Sequence, residues 1–193
     1  MRPGIVVILN GASSSGKSSI VRALQAISDE PILDAGLDRF LWMLPQRYLE
    51  RPLWDEVLGL ATQTGAPGHQ LVRGMHRAIA ALSRAGWHVV ADHVLVERAW
   101  AKDCAACLAD LPAYLVGVRC PLEVLVAREA ARRERTPGQA AAQHPRVHAG
   151  LVYDLEVDTS ILSAEECAWQ IRARLADGTG PWTLRHLREA GVL

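Results

Sequence analysis

The sequence predicts an α/β fold, a three-layer sandwich in which a mainly parallel five-stranded sheet carries helices on both faces. Three observations lead there. Short apolar runs of strand length alternate with segments whose apolar residues recur at helical spacing. The first run, Ile5 to Leu9, is β-branched and aliphatic throughout, which suits a parallel strand covered on both sides. It passes at once into a Gly/Ser cluster of the form GxxxxGK[ST] and then a helix, so the expected sandwich is of the P-loop NTPase type.

The elements follow in order. Ile20, Val21, Leu24 and Ile27 mark the first helix, and Ile32 and Leu33 form a short strand that leads to Asp34 and Asp38. Trp42, Met43, Leu44 and Tyr48 follow, interrupted by Pro45, and residues 51–69 read as an irregular excursion rich in Gly and Pro. Leu71, Val72, Met75, Ile79 and Leu82 define a helix that Gly86 ends, and a strand from Trp87 to Ala91 stops at Asp92. Trp100, Cys104, Cys107, Leu108 and Leu111 share one helical face. Ala113 to Val118 is a strand, Leu122 to Ala130 a helix, and Tyr153 to Val157 a last short strand. Ser163 and Glu166 make a capping box for the helix through Leu175. Right-handed βαβ units then bring Gly11, Asp38 and Asp92 to the carboxyl ends of the strands, where ligands of such sheets sit.

A chain of 193 residues with 50% hydrophobic content suits one domain over 1–193. Its 21 basic and 21 acidic residues cancel, which argues against nucleic acid or an anionic membrane as partner. No apolar stretch reaches the roughly 18 to 20 residues of a membrane span. The opening MRPGIVVILNG reads as a buried strand rather than an export signal, so the expected compartment is the cytoplasm and the four cysteines are expected to be reduced. Cys104 and Cys107 form a CxxC on an apolar helix face, with no second pair at ligand spacing, and burial is the expected role. The pattern leaves the oligomeric state open, a homo-oligomer included.

The chemistry is carried by the candidate nucleotide-binding run Gly11, Ala12, Ser13, Ser14, Ser15, Gly16, Lys17, Ser18 and Ser19. A polyphosphate needs many converging N–H donors, which a glycine-bounded bend and a helix N-terminus supply. Lys17 is expected on the β- and γ-phosphates of a nucleotide and the Ser18 hydroxyl on Mg²⁺. Asp92, at the top of a buried strand, is the candidate second metal-positioning group, although a strand-ending turn would show the same residue. Asp38 is the candidate general base for a hydroxyl acceptor, or else a helix N-cap. Arg132, Arg133 and Arg135 suit a closing lid over about 132–146 that neutralises the transferring phosphoryl group, or a solvated helix end. The acceptor region is expected at about 38–75, with Trp42, Met43 and Tyr48 as apolar contacts or as core. Residues 177–193 form a tail with no assigned place.

The chain resembles the chloramphenicol phosphotransferases, P-loop kinases of antibiotic-producing bacteria. The resemblance rests on Ile8-Leu9-Asn10-Gly11, Ser13-Ser14, Gly16-Lys17-Ser18, Ile20-Val21-Arg22, Leu24-Gln25 and Gly36-Leu37-Asp38. It continues in Arg84-Ala85-Gly86, Asp92, Val116 to Cys120, Arg132, Arg135, Gly138, Val147-His148, Tyr153-Asp154, Glu156 to Thr159 and Glu166 to Trp169. It implies an ATP-dependent 3-O-phosphorylation of the drug, with Asp38 as base and Arg132 and Arg135 near the phosphates. ATP is favoured over GTP by this resemblance alone. Residues 39–70, where a substrate pocket would be built, match poorly, so the resemblance leaves the acceptor open between chloramphenicol and a related small hydroxylated molecule. Two other classes share the P-loop: a nucleotide-driven regulatory NTPase, for which no NKxD-type guanine selector is present, and a kinase of nucleic-acid ends, which zero net charge disfavours.

Overall fold

The computed structural model of the protein describes residues 2–49, 67–131 and 137–190. Five strands form one sheet in the order β2-β3-β1-β4-β5, every neighbouring pair parallel. They are β1 (Val6–Asn10), β2 (Ile32–Asp34), β3 (His88–His93), β4 (Ala113–Arg119) and β5 (Leu155–Asp158). The helices among the described residues are α1 (Lys17–Ile27), α2 (Leu37–Leu41), α3 (Gln46–Leu49), α4 (Pro67–Arg84), α5 (Arg98–Leu108), α6 (Leu122–Ala130), α7 (Gln139–Gln143), α8 (Ala164–Ala176) and α9 (Thr183–Glu189).

β1 is buried at every position because it is the central strand with a helical layer on each side. The period of two then divides its side chains between two cores. Val7 and Leu9 join Val90, Val116 and Val157 under α1 and α8, whereas Val6 and Ile8 join Val89 and Leu115 over α4, α5 and α9. Trp100 of α5 is 1% exposed in the second core, and truncating an aromatic of that kind to Ala costs about 3–5 kcal/mol. Ser163 and Glu166 form both halves of the capping box of α8.

Several boundaries differ from the sequence reading. β3 continues through Asp92 to His93 instead of stopping at the carboxylate, because Asn10 keeps β1 in register with it to that point. β5 begins at Leu155 and not at Tyr153, whose ring instead covers Gly117, where a Cβ would stand 2.8 Å from the ring. The C-terminal tail is a packed element. Leu184 and Leu187 of α9 are buried, and the Asp154 carboxylate accepts from the N–H groups of Trp182 and Thr183 at the start of that helix. Trp87 precedes its strand and stays 47% exposed.

The expected lid segment divides at the edge of the description. Arg132, Arg133 and Arg135 fall outside the described residues. From residue 137 the chain is folded against the body: the Glu129 carboxylate accepts from Gly138 N at 2.8 Å and Ala140 N at 2.9 Å, and Ala140 and Gln143 are buried. Much of the expected acceptor region, residues 50–66, also lies outside the described residues. The CxxC pair behaves as a core feature. Cys104 is fully buried, Cys107 half-buried, and desolvation pushes both thiols upward, Cys104 far above its ordinary value. No helix among the described residues is long and apolar enough to cross a membrane.

Candidate active site

The phosphate loop leaves β1 at Asn10 and turns over the carboxyl edge of the sheet. Gly11 is required by close approach, since a Cβ there would lie 2.7 Å from both Ser15 Oγ and the Val118 carbonyl oxygen. Gly16 caps α1 with φ +88°, a left-handed conformation that glycine adopts without steric cost. Ser14, at φ +64°, adopts the same region with a side chain, a strain of roughly 1–3 kcal/mol of the kind concentrated at binding sites. α1 then begins with no acidic residue in its first turn, which leaves the positive end of its dipole available to an anion.

Inside the bend the Oγ atoms of Ser13, Ser14 and Ser15 are buried with no protein partner. A buried hydroxyl without a partner costs roughly 1–3 kcal/mol, so three in one loop need an external acceptor or donor to offset them. Lys17 is buried and folds back, its Nζ donating to the carbonyls of Gly11 and Ala12 at 2.7 Å each. The loop is fastened from outside at two points. Ser13 N donates to Gln143 Oε1 at 2.6 Å, and Thr159 Oγ1 donates to the Ser15 carbonyl at 2.9 Å while Arg128 grips Thr159 in turn.

Ser18 Oγ donates to Asp92 Oδ2 at 2.8 Å, joining the first turn of α1 to the end of β3. The other oxygen of Asp92 packs on Gly36, where a Cβ would stand only 2.1 Å from it. Gly36 is the N-cap of α2, so Asp38 lies in the first turn of that helix, half-buried, and is not itself the cap. Ser18, Asp92 and Gly36 therefore form one continuous corner between α1, β3 and α2, and Asp38 follows Gly36 by two residues in α2. Asp34 closes its back, accepting from Gly36 N at 3.1 Å and from Arg39 at 2.8 and 3.0 Å. The hydrogen bond to Asp34, followed by the charges of Asp92 and Asp38, holds the Arg39 guanidinium above its ordinary value. Trp42 and Met43 at the end of α2 are 67% and 70% exposed, so they are not core.

The chain matches the profile of the chloramphenicol phosphotransferase-like family over residues 4–176, the span that contains every one of these groups. It belongs to that family. With it the chain is a phosphotransferase, and α9 lies beyond the matched span. Two curated relatives agree: proteins of Mycobacterium tuberculosis strains CDC 1551 and H37Rv, provisionally named O-phosphotransferases, are 32% identical over 98% of this chain and 90% of their own length. Solved structures share the fold. A sugar kinase from Janibacter sp. superposes with TM-score 0.68 at 18% identity, covering 91% of this chain and 96% of its own. The APS kinase of Mycobacterium tuberculosis, solved with AMPPNP and APS, gives 0.62 at 19% identity over 91% and 99%. A gluconokinase from Sinorhizobium meliloti gives 0.61 at 20% identity over 91% and 94%.

Several residues of this family member's site escaped the sequence reading. Gln143 is an isolated polar residue that no motif singles out, and Asn10 enters the sequence reading only within the run Ile8-Leu9-Asn10-Gly11 with no role of its own, yet both are buried and both touch the loop or its supports. His93 belongs to a buried chain whose proton positions follow from its partners. Val94 N donates to His93 Nδ1, so His93 carries its proton on Nε2 and donates to His76 Nε2 at 2.8 Å; His76 Nδ1–H then donates to Asp103 at 2.7 Å. Burial first, then neighbouring His76 and the charge of Lys17, push His93 well below its ordinary value, so it remains neutral beneath the loop. Its carbonyl accepts from Gly11 N at 3.3 Å. A polar residue ending an apolar strand beside a glycine was the one signal for Asn10; the histidine chain left none.

Proposed function

We propose that this protein transfers the γ-phosphoryl group of ATP, with Mg²⁺, to a hydroxyl of a small molecule, an antibiotic such as chloramphenicol or a related compound. The observation that supports this reading is the corner Ser18–Asp92–Gly36, able to position a cation next to the phosphate loop, with the candidate base Asp38 two residues on in the first turn of α2. The residues fit the ligands. Three orphaned buried hydroxyls and the N-terminus of α1 suit the phosphates, and the oxygen pair of Ser18 and Asp92 suits a hard divalent ion.

Each group then has one task. The loop wraps the phosphates, and Lys17 exchanges the carbonyls of Gly11 and Ala12 for phosphate oxygens, so a charge already in place needs only a side-chain rotation to reach them. Ser18 and Asp92 would hold Mg²⁺, which would supply charge neutralisation to the transfer. Asp38 accepts the acceptor's hydroxyl proton as the oxygen bonds to the γ-phosphorus and the bond to the β-phosphate oxygen breaks, leaving ADP. Arg132 and Arg135 are assigned to the charge on the phosphoryl group in flight, as the family resemblance implies. Trp42 and Met43 offer exposed apolar surface on the acceptor side.

The test is a screen of hydroxylated antibiotics and metabolites for an ATP-dependent mass gain of one phosphate, with Lys17→Ala as the control. Transfer by the unaltered protein and a rate lower by roughly a thousandfold or more in the variant is expected. Full transfer by Lys17→Ala would remove the loop from the mechanism.

A further inference from the structure

A line of polar side chains crosses the core beneath the phosphate loop and takes no part in the transfer itself. It enters at the surface, where Arg77 of α4 donates to Asp103 of α5 at 3.2 Å. Asp103 Oδ2 accepts from His76 Nδ1 at 2.7 Å, His76 Nε2 accepts from His93 Nε2 at 2.8 Å, and His93 Nδ1 accepts from Val94 N at 2.7 Å. Both imidazoles are fully buried, and apolar side chains of similar volume would fill that space without needing partners. Stability alone therefore does not call for them; what they hold in place does.

They hold the end of β3. Neighbouring strand residues point to opposite faces, so Asp92 turns toward α1 and His93 toward α4. Four consecutive residues are fixed there. Asp92 accepts from Ser18 Oγ, His76 holds the His93 ring, Val94 N donates to that ring, and Leu95 N donates to Asn10 Oδ1. The His93 carbonyl in turn accepts from Gly11 N. The hydrogens of the line run in one direction because its two ends agree: a backbone N–H only donates and a carboxylate only accepts. Without that carboxylate the reverse arrangement opens, with hydrogen on His76 Nε2 and His93 Nδ1 and no net gain or loss of protons. Val94 N would then face a second donor.

We propose that Asp103 is a positioning residue for nucleotide binding. Acting through His76 and His93, it sets the hydrogen-bond direction that keeps Val94, and with it Asp92 and the carbonyl above Gly11, in register with the phosphate loop. The inference rests on the nucleotide-binding part of the phosphotransfer reading and adds to it a residue two imidazoles away from the loop.

The experiment combines the ring-nitrogen NMR shifts of the histidines, which tell Nδ1–H from Nε2–H, with calorimetric affinity for a non-hydrolysable ATP analogue and Mg²⁺. Unaltered protein, Asp103→Leu, Asp103→Glu and Arg77→Met are compared, and Asp103→Met serves in place of Asp103→Leu if the latter does not fold. Unaltered protein is expected to carry Nε2–H on His93 and Nδ1–H on His76. Asp103→Leu, close in shape but without an acceptor, is expected to invert both and to weaken nucleotide affinity about tenfold. Asp103→Glu keeps both readings as in unaltered protein, and Arg77→Met, which removes only the outer ion pair, changes neither. The reverse tautomers in unaltered protein, tautomers unmoved by loss of the carboxylate, or inversion with affinity within twofold overturns the positioning role and leaves the phosphotransfer reading standing. The expected pattern in a protein that phosphorylates no alcohol upholds the positioning role and overturns the transfer. Unaltered protein that binds no nucleotide overturns both.

Discussion

The phosphate loop draws its groups from one unbroken run, Asn10 to Ser18, whereas the surface around it assembles Asp92, the Leu95–Glu97 stretch and Arg146 from separate parts of the chain. The first is a backbone device. Left-handed turns at Ser14 and Gly16 set the bend, its hydroxyls are buried, and Lys17 is already folded over it. The second is a side-chain device, with Asn10 and Asp92 as its joints, exposed apolar residues at Trp42 and Met43 and an ion pair as its rim. A triphosphate is the same in every kinase and can be met by backbone; acceptors differ, and side chains are what a chain can vary without rebuilding the bend.

That contrast can be broken first at Asp38. If the acceptor side supplies the base, Asp38→Asn lowers kcat by roughly a hundredfold or more while nucleotide affinity, measured by calorimetry, stays within twofold. Full transfer in the variant would return Asp38 to being an ordinary residue in the first turn of α2. The joint between the halves is Asn10. In Asn10→Leu the N–H of Leu95 and the carbonyl of Val147 lose their partner, so stability is expected to fall by about 2–3 kcal/mol in denaturant titration, with the acceptor KM rising more than the ATP KM. Equal changes in both constants would mean that the two regions are not separately built.

The smallest effect sharpens the same boundary through pH. Tyr153 accepts from Asn10 Nδ2 and so donates its own hydrogen to His148 Nδ1, which requires a neutral imidazole. Burial, then the charge of Arg119, lowers His148 to about 4 from an ordinary 6.5. The unfolded chain therefore takes up this proton at a higher pH than the folded one. The associated stability is complete above about pH 6.5 and is lost as pH falls toward 4. His148→Asn is expected to flatten the dependence of melting temperature on pH across that window, with His69 and His93, both lowered by burial, retaining part of the slope. An unchanged slope would show that this imidazole is not held neutral.

Legibility in the sequence followed the range of the interactions. The phosphate loop, the central strand, the apolar faces of α1, α4 and α5 and the capping box of α8 are written in contiguous residues, where a period of two or of 3.6, or a run of glycines around a lysine, has a local cause. Asp92 was visible because it ends an apolar run, but its hold on Ser18 and its contact with Gly36 were not. The tail had no motif, and its place became clear only when Asp154 was seen to accept from the first N–H groups of α9.

The sequence by itself determined the fold class and the phosphate loop, because each depends on neighbours in the chain. Only the tertiary structure decided that Asn10 holds both Leu95 and Val147, 85 and 137 residues along the chain, that α9 is packed, and that a chain of buried histidines lies beneath the loop. Those contacts arise from closing the sheet in the order β2-β3-β1-β4-β5, which brings together polar side chains with no periodicity of their own, and a buried polar group acquires its role only from the partner it meets.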